Sequence, residues 1–267
     1  MGGSWELTAK IESSKYKRGG EVDKDGGKSS LVYEIGSDLN LLPAEVLGRG
    51  STYEELTTQE SALVGYWKFD EGSGTTANDS SGYGNNGTLY NGPTWTSGKV
   101  GGALSFDGVN DYVDCGNGAS LNNISAITIE AWIYQKSIST LSTAYNQAIV
   151  NKLDWGNNMG YEFSLIATSN YPRIYSGNRS AFYPVANPLN VWVHYVVTID
   201  ANGNYVFYKN GVNVQAGSGL GLNISLTNSS LLIGKESTYF DGLIDEVRIY
   251  NRALSAAEIK ALYDATK

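Results

Sequence analysis

The sequence predicts an all-β chain: two antiparallel sheets packed as a jelly-roll sandwich, closed by a short helix. Three observations carry this. Roughly a dozen runs of four to eight residues are rich in β-branched and aromatic side chains that alternate with polar ones. Gly, Asn, Asp and Ser separate those runs about every ten residues, the spacing of strand-turn-strand architecture. Glycine reaches 32 and tyrosine 19 of 267 residues, while charged residues make up only 17%.

The first stretch is of another kind. Residues 1–60 read as a stem and linker, and 61–267 as the sandwich domain. From Trp5 to Glu60 the large apolar residues (Leu7, Ile11, Tyr33, Ile35, Leu39, Leu41, Leu42) are too few to bury a core of their own. Pro43–Glu60 has the exposed, polar, glycine-bearing composition of a domain boundary. The text WELTAKIES, the following DGG and the close YEIGSDLNLLP resemble the C-terminal part of bacterial type IV pilin-like or pseudopilin-like proteins. That resemblance covers Trp5–Pro43. It implies a preceding hydrophobic helix, attachment to a membrane or filament, and display at a bacterial cell surface. A generic linker is the alternative. The sequence has no run of eighteen apolar residues and no basic-then-apolar opening, so an export or anchoring segment is expected outside it.

The domain opens with LVGYWKF, a strand that sends Trp67 and Phe69 to one face and Tyr66 and Lys68 to the other. It dissolves into EGSGTTANDSSGYGNN, a loop with too little apolar surface to bury itself. Gly87–Tyr90 is a short strand turned by Asn91-Gly92-Pro93. ALSFDGVNDYVDCG reads as a hairpin, with Leu104 and Phe106 inward and a turn at Asp107-Gly108. Ile127, Ile129, Ala131 and Ile133 mark one face of the next strand. QAIVNKLD, GYEFSLIAT, RIYSG and NVWVHYVVTID follow. NYVFYKNGVNVQAG is a hairpin around Lys209-Asn210-Gly211. SSLLIGKES and GLIDEVRIYNRAL complete the sheets. In SAAEIKALYDA, Ser255 and Glu258 form a capping box and Ile259 and Leu262 face the sandwich. The lone Cys115 excludes an intrachain disulfide and reads as a packing residue, and His194 as a strand position.

Four motifs stand in order: YWKFDEGSG with NDSSGYGNNGTL, ALSFDGVNDYV, ITIEAWIY, and LIDEVRIYNRALSAAEI. Together they resemble the laminin-G-like jelly roll of the concanavalin A-like lectin/glucanase superfamily, over Leu63–Lys267. The oxygen-rich loop suits calcium, which takes six to eight oxygen ligands from flexible chain. Carried over, the resemblance implies a structural calcium site of Asp79, Gly84, Asn85, Thr88 and Asp245, with Asp70 and Glu71 in reserve. The alternative is a solvated loop with no metal.

Charge and motif content narrow the chemistry. A formal net charge of −8 argues against nucleic acid, whose binding rests on Lys and Arg neutralising phosphates. Glycoside hydrolysis needs paired carboxylates, and no alternating acidic run is present. Asp245 and Glu246 are adjacent and so expected on opposite faces, and Glu130 stands alone. With one His and one Cys, no nucleophile-base set is persuasive, and no enzyme is expected. Sugar recognition pairs aromatic faces with amides, carboxylates and Arg. That mixture occurs at Asp154, Trp155, Asn157, Asn158 and Tyr161, and again at Tyr171, Arg173, Tyr175 and Arg179, with Trp155 the expected stacking platform. The alternative is that these aromatics cap the sheet ends. The reading is an extracellular module that binds a glycan or other cell-surface ligand. A ligand-free filament subunit and an unconventional hydrolase are the rivals.

Overall fold

The computed structural model describes residues 62–122, 124–138, 146–221 and 227–267, so the stem and linker expected over 1–60 lie outside the described residues. The strands are β1 (Leu63–Trp67), β2 (Thr76–Ala77), β3 (Gly87–Tyr90), β4 (Thr94–Ser97), β5 (Gly102–Asp107), β6 (Tyr112–Asp114), β7 (Ile127–Gln135) and β8 (Gln147–Asn151). They continue as β9 (Tyr161–Leu165), β10 (Pro172–Ser176), β11 (Arg179–Phe182), β12 (Trp192–Ile199), β13 (Tyr205–Lys209), β14 (Val212–Gly217), β15 (Leu232–Ile233) and β16 (Asp241–Tyr250). One sheet runs β14-β13-β12-β7-β16-β5-β4, with β1 also paired to β16. The second runs β11-β10-β9-β8-β15-β6-β3-β2. The strand pairs are antiparallel, and helix α1 (Ala256–Thr266) follows the last strand.

Alternation within each strand builds the core between the sheets. Ile127, Ile129, Ala131 and Ile133 of β7 meet Val150, Phe163 and Ile174 of the second sheet, with Trp67, Phe69 and Phe106 filling the space. Cys115 is buried in the same core, and burial pushes its thiol up, which suits an inert packing residue. The turn after β13 has Asn210 and Gly211 at φ of 51° and 74°, the left-handed pair that a two-residue hairpin requires.

One expected hairpin is not formed. β5 pairs with β4 and β16, whereas β6 pairs with β3 and β15, so the Asp107-Gly108 segment crosses from one sheet to the other. Leu104, Phe106 and Val113 all point into the core, as alternation requires, yet from opposite walls. Asp107 shapes the crossing: its Oδ1 accepts from the backbone N–H groups of Val109 (2.8 Å) and Asn110 (3.1 Å).

The outer face of the first sheet is sealed by α1. Ser255 caps the helix and Glu258 answers it, while Ile259 and Leu262 bury against Val196, Tyr208 and Tyr250. Beneath it lies a charged network absent from the sequence reading. Arg248 Nη1 donates to Glu130 Oε1 (2.9 Å), and Nη2 donates to Glu246 and to the Tyr66 hydroxyl (2.6 Å). Tyr66 in turn donates to Glu246 Oε2 (2.8 Å), and His194 Nε2 meets Glu130 Oε1 (2.9 Å). Glu130 is therefore not alone. Nor does simple alternation hold at Asp245-Glu246: the register shifts there, Glu246 takes a φ of 54°, and its carboxylate turns to Arg248 and Tyr66. Burial alone would raise the Glu130 pKa, but the Arg248 guanidinium and His194 outweigh it and hold the carboxyl below its usual value.

Candidate functional site

The outer face of the second sheet is open in a different way. In β9, Tyr161, Phe163 and Leu165 enter the core, so Glu162 and Ser164 face outward. The register places Tyr175 opposite Glu162, Arg173 opposite Ser164, and Phe182 of β11 opposite Arg173. Arg173 Nη2 donates to Glu162 Oε1 at 2.6 Å. With its amide turned to suit, Asn146 accepts from Arg173 Nη2 (2.6 Å) and Nη1 (3.2 Å). The Arg173 guanidinium also lies 5.3 Å from the centroid of the Tyr175 ring.

The loop after β8 adds the second aromatic. Asp154 and Met159 close it as an isolated bridge, and Asn157 Nδ2 donates to Asp154 Oδ2 (2.9 Å). Asn158 supplies the left-handed residue, φ 53°. Trp155 is thereby held at the loop tip, 51% exposed, with its ring 5.1 Å from Tyr175 and tilted by 48°. Asp154 and Asn157 shape the loop that carries Trp155.

Across the strand pair from Tyr175 sits a buried polar group. Glu162 is fully buried, and its Oε2 has no hydrogen-bond partner. Burial pushes its carboxyl above the usual range; Arg173 opposes that, and the nearby Glu236 adds to it. The Ser164 hydroxyl beside it favours the ionised form without reaching hydrogen-bond geometry to Oε2. Arg173 Nε and Glu236 Oε2 are likewise buried without partners. A buried polar atom left unsatisfied costs about 1–3 kcal/mol. These atoms are screened from solvent, while the exposed Trp155 indole beside the Tyr175 ring offers an apolar face of the kind on which a sugar's C–H surface stacks.

Of the loop residues expected here, Trp155, Arg173 and Tyr175 come together. Tyr161 does not: it is fully buried in the core, because the alternation that turns Glu162 outward turns Tyr161 inward. Tyr171 stacks on Phe182 (6.0 Å, 22°), and Arg179 donates to the Gly219 carbonyl (2.8 Å) at the sheet edge. Glu162, Asn146, Phe182 and Glu236 were not anticipated. The signal for Glu162 was present in YEFSL, whose polar residues occupy the face opposite its aromatic ones.

The expected cation loop is tied by its own backbone. Asp79 Oδ1 accepts from Tyr66 N and Ser81 N, and Oδ2 from Asn85 N, each at 2.9 Å. Asn85 is buried and donates to the Val64 carbonyl and the Ser120 hydroxyl, each at 3.0 Å. Gly84 is an exposed turn residue at φ 75°, and Thr88 lies on β3 opposite Thr76 and Asp114. Asp245 closes another turn: its Oδ2 accepts from Lys99 N (2.8 Å) and Val100 N (2.9 Å). Asp79 and Asp245 thus each accept from backbone N–H groups of a separate turn. Among the described residues no three His, Cys, Asp or Glu side chains converge. Asp245 nonetheless keeps a feature that suits a cation. Its Oδ1 is buried and unpartnered, and burial pushes the carboxyl up to about 8, with Glu246 and Asp70 contributing.

Comparison with known proteins agrees with this architecture. Domain 4 of AbnA, a GH43 extracellular arabinanase from Geobacillus stearothermophilus solved with arabinotriose, superposes with a TM-score of 0.60 at 22% identity, over 77% of this chain and 98% of that one. The binding domain of Paraclostridial Mosquitocidal Protein 1 gives 0.61 at 18%, over 77% of this chain and 52% of that one. A structure of botulinum neurotoxin type C, whose cell entry is described as dependent on two ganglioside molecules, gives 0.57 at 15%, over 79% and 53%. This chain thus spans about half the length of the toxin chains. No curated protein sequence matches it. The profile that matches, over residues 107–260, covers more than half of the sequence, and the chain belongs to the concanavalin A-like lectin/glucanases superfamily.

Proposed function

We propose that this chain is a non-catalytic, extracellular glycan-binding module, and that the sugar meets the outer face of the second sheet at Trp155, Tyr175, Arg173 and Glu162. The observation that carries this is the exposed Trp155 ring tilted against Tyr175, whose own ring also lies under the Arg173 guanidinium. Arabinotriose and gangliosides, the ligands of the similar domains, support a carbohydrate as the class. Affinity electrophoresis against soluble arabinan, xylan and mixed-linkage glucan, with ganglioside-bearing vesicles in parallel, tests it. Retardation of the native protein that is lost in Trp155→Ala supports the reading; native mobility in every gel and no vesicle binding would refute it.

One observation favours a hydrolase: a second carboxylate, Glu236, lies near Glu162, whose carboxyl burial pushes above its usual range. The Arg173 ion pair argues for binding instead, since it holds Glu162 as an anchored acceptor. Release of reducing ends from the same polysaccharides, abolished by Glu162→Gln, would reverse that assignment.

Calcium belongs to the same proposal in a structural role. Asp245, with Asp70 as the neighbouring carboxylate, would hold the ion, while Asp79, Gly84, Asn85 and Thr88 shape the adjoining loop. Attachment to a bacterial surface through the pilin-like text of Trp5–Pro43 is also proposed, and expression behind a prepilin leader with surface labelling would test it.

A further inference from the structure

A second aromatic cluster lies on the same outer face. Tyr90 of β3 and Tyr112 of β6 are cross-strand partners whose rings are parallel within 9° and 4.9 Å apart. Tyr90 is 42% exposed. The ammonium of Lys235 sits 3.9 Å from the centroid of Tyr112 and 5.6 Å from that of Tyr239. Nothing in the core requires this arrangement, since Leu89 and Val113, the intervening residues, are the ones that pack inward.

Register relates this cluster to the Trp155 site. Tyr175, Glu162, Asn151, Leu232, Asp114 and Thr88 are successive partners across β10, β9, β8, β15, β6 and β3. Arg173 and Tyr112 lie two residues along from Tyr175 and Asp114, on the same outer side. Four strand spacings separate β6 from β10, roughly 19 Å. Between them the Gly234–Tyr239 segment crosses this face, closed by a bridge between Lys235 and Tyr239. Gly234 has to be glycine: its φ is 84°, and a Cβ there would meet the Phe106 ring at 2.7 Å. The segment brings Lys235 to Tyr112 and Glu236 to Glu162. Aromatic and charged groups are therefore spread along this face from Tyr90 and Tyr112, past Lys235 and Glu236, to Arg173, Tyr175 and Trp155, with Glu162 buried beneath Arg173.

We infer that this stripe is one extended binding surface, with Tyr90 and Tyr112 as a distal sugar subsite, and that its ligand is an uncharged polysaccharide chain lying across the strands. This rests on the glycan-binding reading above and adds to it. A terminal sugar needs only the Trp155 end. A second stacking platform several sugar units away serves a ligand that continues, because each further unit in contact adds apolar coverage without a new association cost. The charge on the stripe selects against acidic glycans. The cations Arg173 and Lys235 are already engaged by Glu162 and by tyrosine rings, and Glu162 and Glu236 add negative charge beside them. The net charge of −8 repels anionic chains further.

The test is calorimetric titration with arabino-oligosaccharides and cello-oligosaccharides from disaccharide to hexasaccharide, on the native chain, Tyr90→Ala and Trp155→Ala. Tyr90 is the variant of choice because its half-exposed ring leaves the fold intact, which an unchanged melting temperature verifies. The expected result is affinity rising about ten-fold or more from di- to hexasaccharide, with that gain lost in Tyr90→Ala and the disaccharide unaffected. Trp155→Ala weakens every length. Equal affinity at all lengths, or a length gain that survives Tyr90→Ala, overturns the extended surface and leaves the Trp155 site standing. If polygalacturonate retards the protein in a gel more than neutral arabinan does, the preference for uncharged chains falls. If no oligosaccharide and no polysaccharide binds, both readings fall together.

Discussion

Replacing Glu162 with Gln separates the cost of the site from its use. The carboxyl is fully buried beneath Arg173, whose side chain is 15% exposed, and burial outweighs the ion pair in setting its pKa. Its folded pKa thus lies above the ordinary value of 4.5. For a group raised in this way, the stability it contributes is fully present below the unfolded pKa. It is lost as pH rises through the folded pKa. Each unit of displacement is worth about 1.4 kcal/mol at neutral pH, or roughly 3–5 °C in melting temperature for a domain of this size. Glu162→Gln keeps an acceptor for Arg173 and removes the titrating group. The variant should therefore melt with the native protein near pH 4 and above it at pH 8. Binding should move the other way. A hydroxyl donating to a carboxylate gains about 1.5–3 kcal/mol, so the neutral amide should weaken glycan affinity by roughly 10- to 100-fold. Calorimetric melting at the two pH values and titration with the best oligosaccharide read both effects. A variant less stable than native at pH 8 refutes the burial argument, and one that is stabilised yet binds undiminished refutes the placement of Glu162 in the site.

Three other perturbations probe the scaffold. Arg248→Met removes the cation shared by Glu130, Glu246 and Tyr66; orphaning buried carboxylates costs about 3–5 kcal/mol, which urea titration should report as a lower midpoint at unchanged slope. Gly211→Ala and Gly84→Ala change residues of nearly equal positive φ, but only the former drives a Cβ to 2.9 Å from Tyr263; Gly84→Ala should cost about 1 kcal/mol and Gly211→Ala clearly more. Saturating calcium should raise the melting temperature by several degrees, since an excess of about a hundred-fold over Kd is worth roughly 2.7 kcal/mol. The gain should vanish in Asp245→Asn and survive Asp79→Asn, and equal melting in calcium and in chelator would remove the ion from the account.

The fold was legible because alternation is a local code. Trp67, Phe69, Ile129 and Ile133 could be assigned to the core from neighbours two residues away, and Ser255 with Glu258 announced the helix in four. What was not legible depends on pairing between distant segments. The Asp107-Gly108 turn has a hairpin's composition, and only the competing partners β15 and β16 decide that it crosses between sheets. The Arg248 network joins residues 66, 130, 194, 246 and 248 through a bulge whose left-handed Glu246 no propensity forecasts. At the candidate site, Trp155 stood out because an indole in a polar loop lacks a core to enter. Glu162 was passed over although YEFSL alternates cleanly, and its neighbour Tyr161, expected among the surface residues, is buried in the core.

The two outer faces of the sandwich differ in what covers them, and the proposed ligand is placed on only one. Both carry a buried carboxylate with an unpartnered oxygen, Glu130 on the first sheet and Glu162 on the second. On the first sheet Arg248 bonds Glu130, Glu246 and Tyr66, and α1 lies over that face through Tyr263, whose ring meets Trp132 and His194. A ligand there would have to displace a capped helix and its apolar contacts with Val196, Tyr208 and Tyr250. On the second sheet Arg173 engages one oxygen of Glu162, Glu236 lies near, and Tyr175, the cross-strand partner of Glu162, has the half-exposed Trp155 beside it. The charged cluster on the first sheet is covered by a helix. The Arg173–Glu162 pair lies on the face that carries the half-exposed Trp155, and the proposed ligand is placed there.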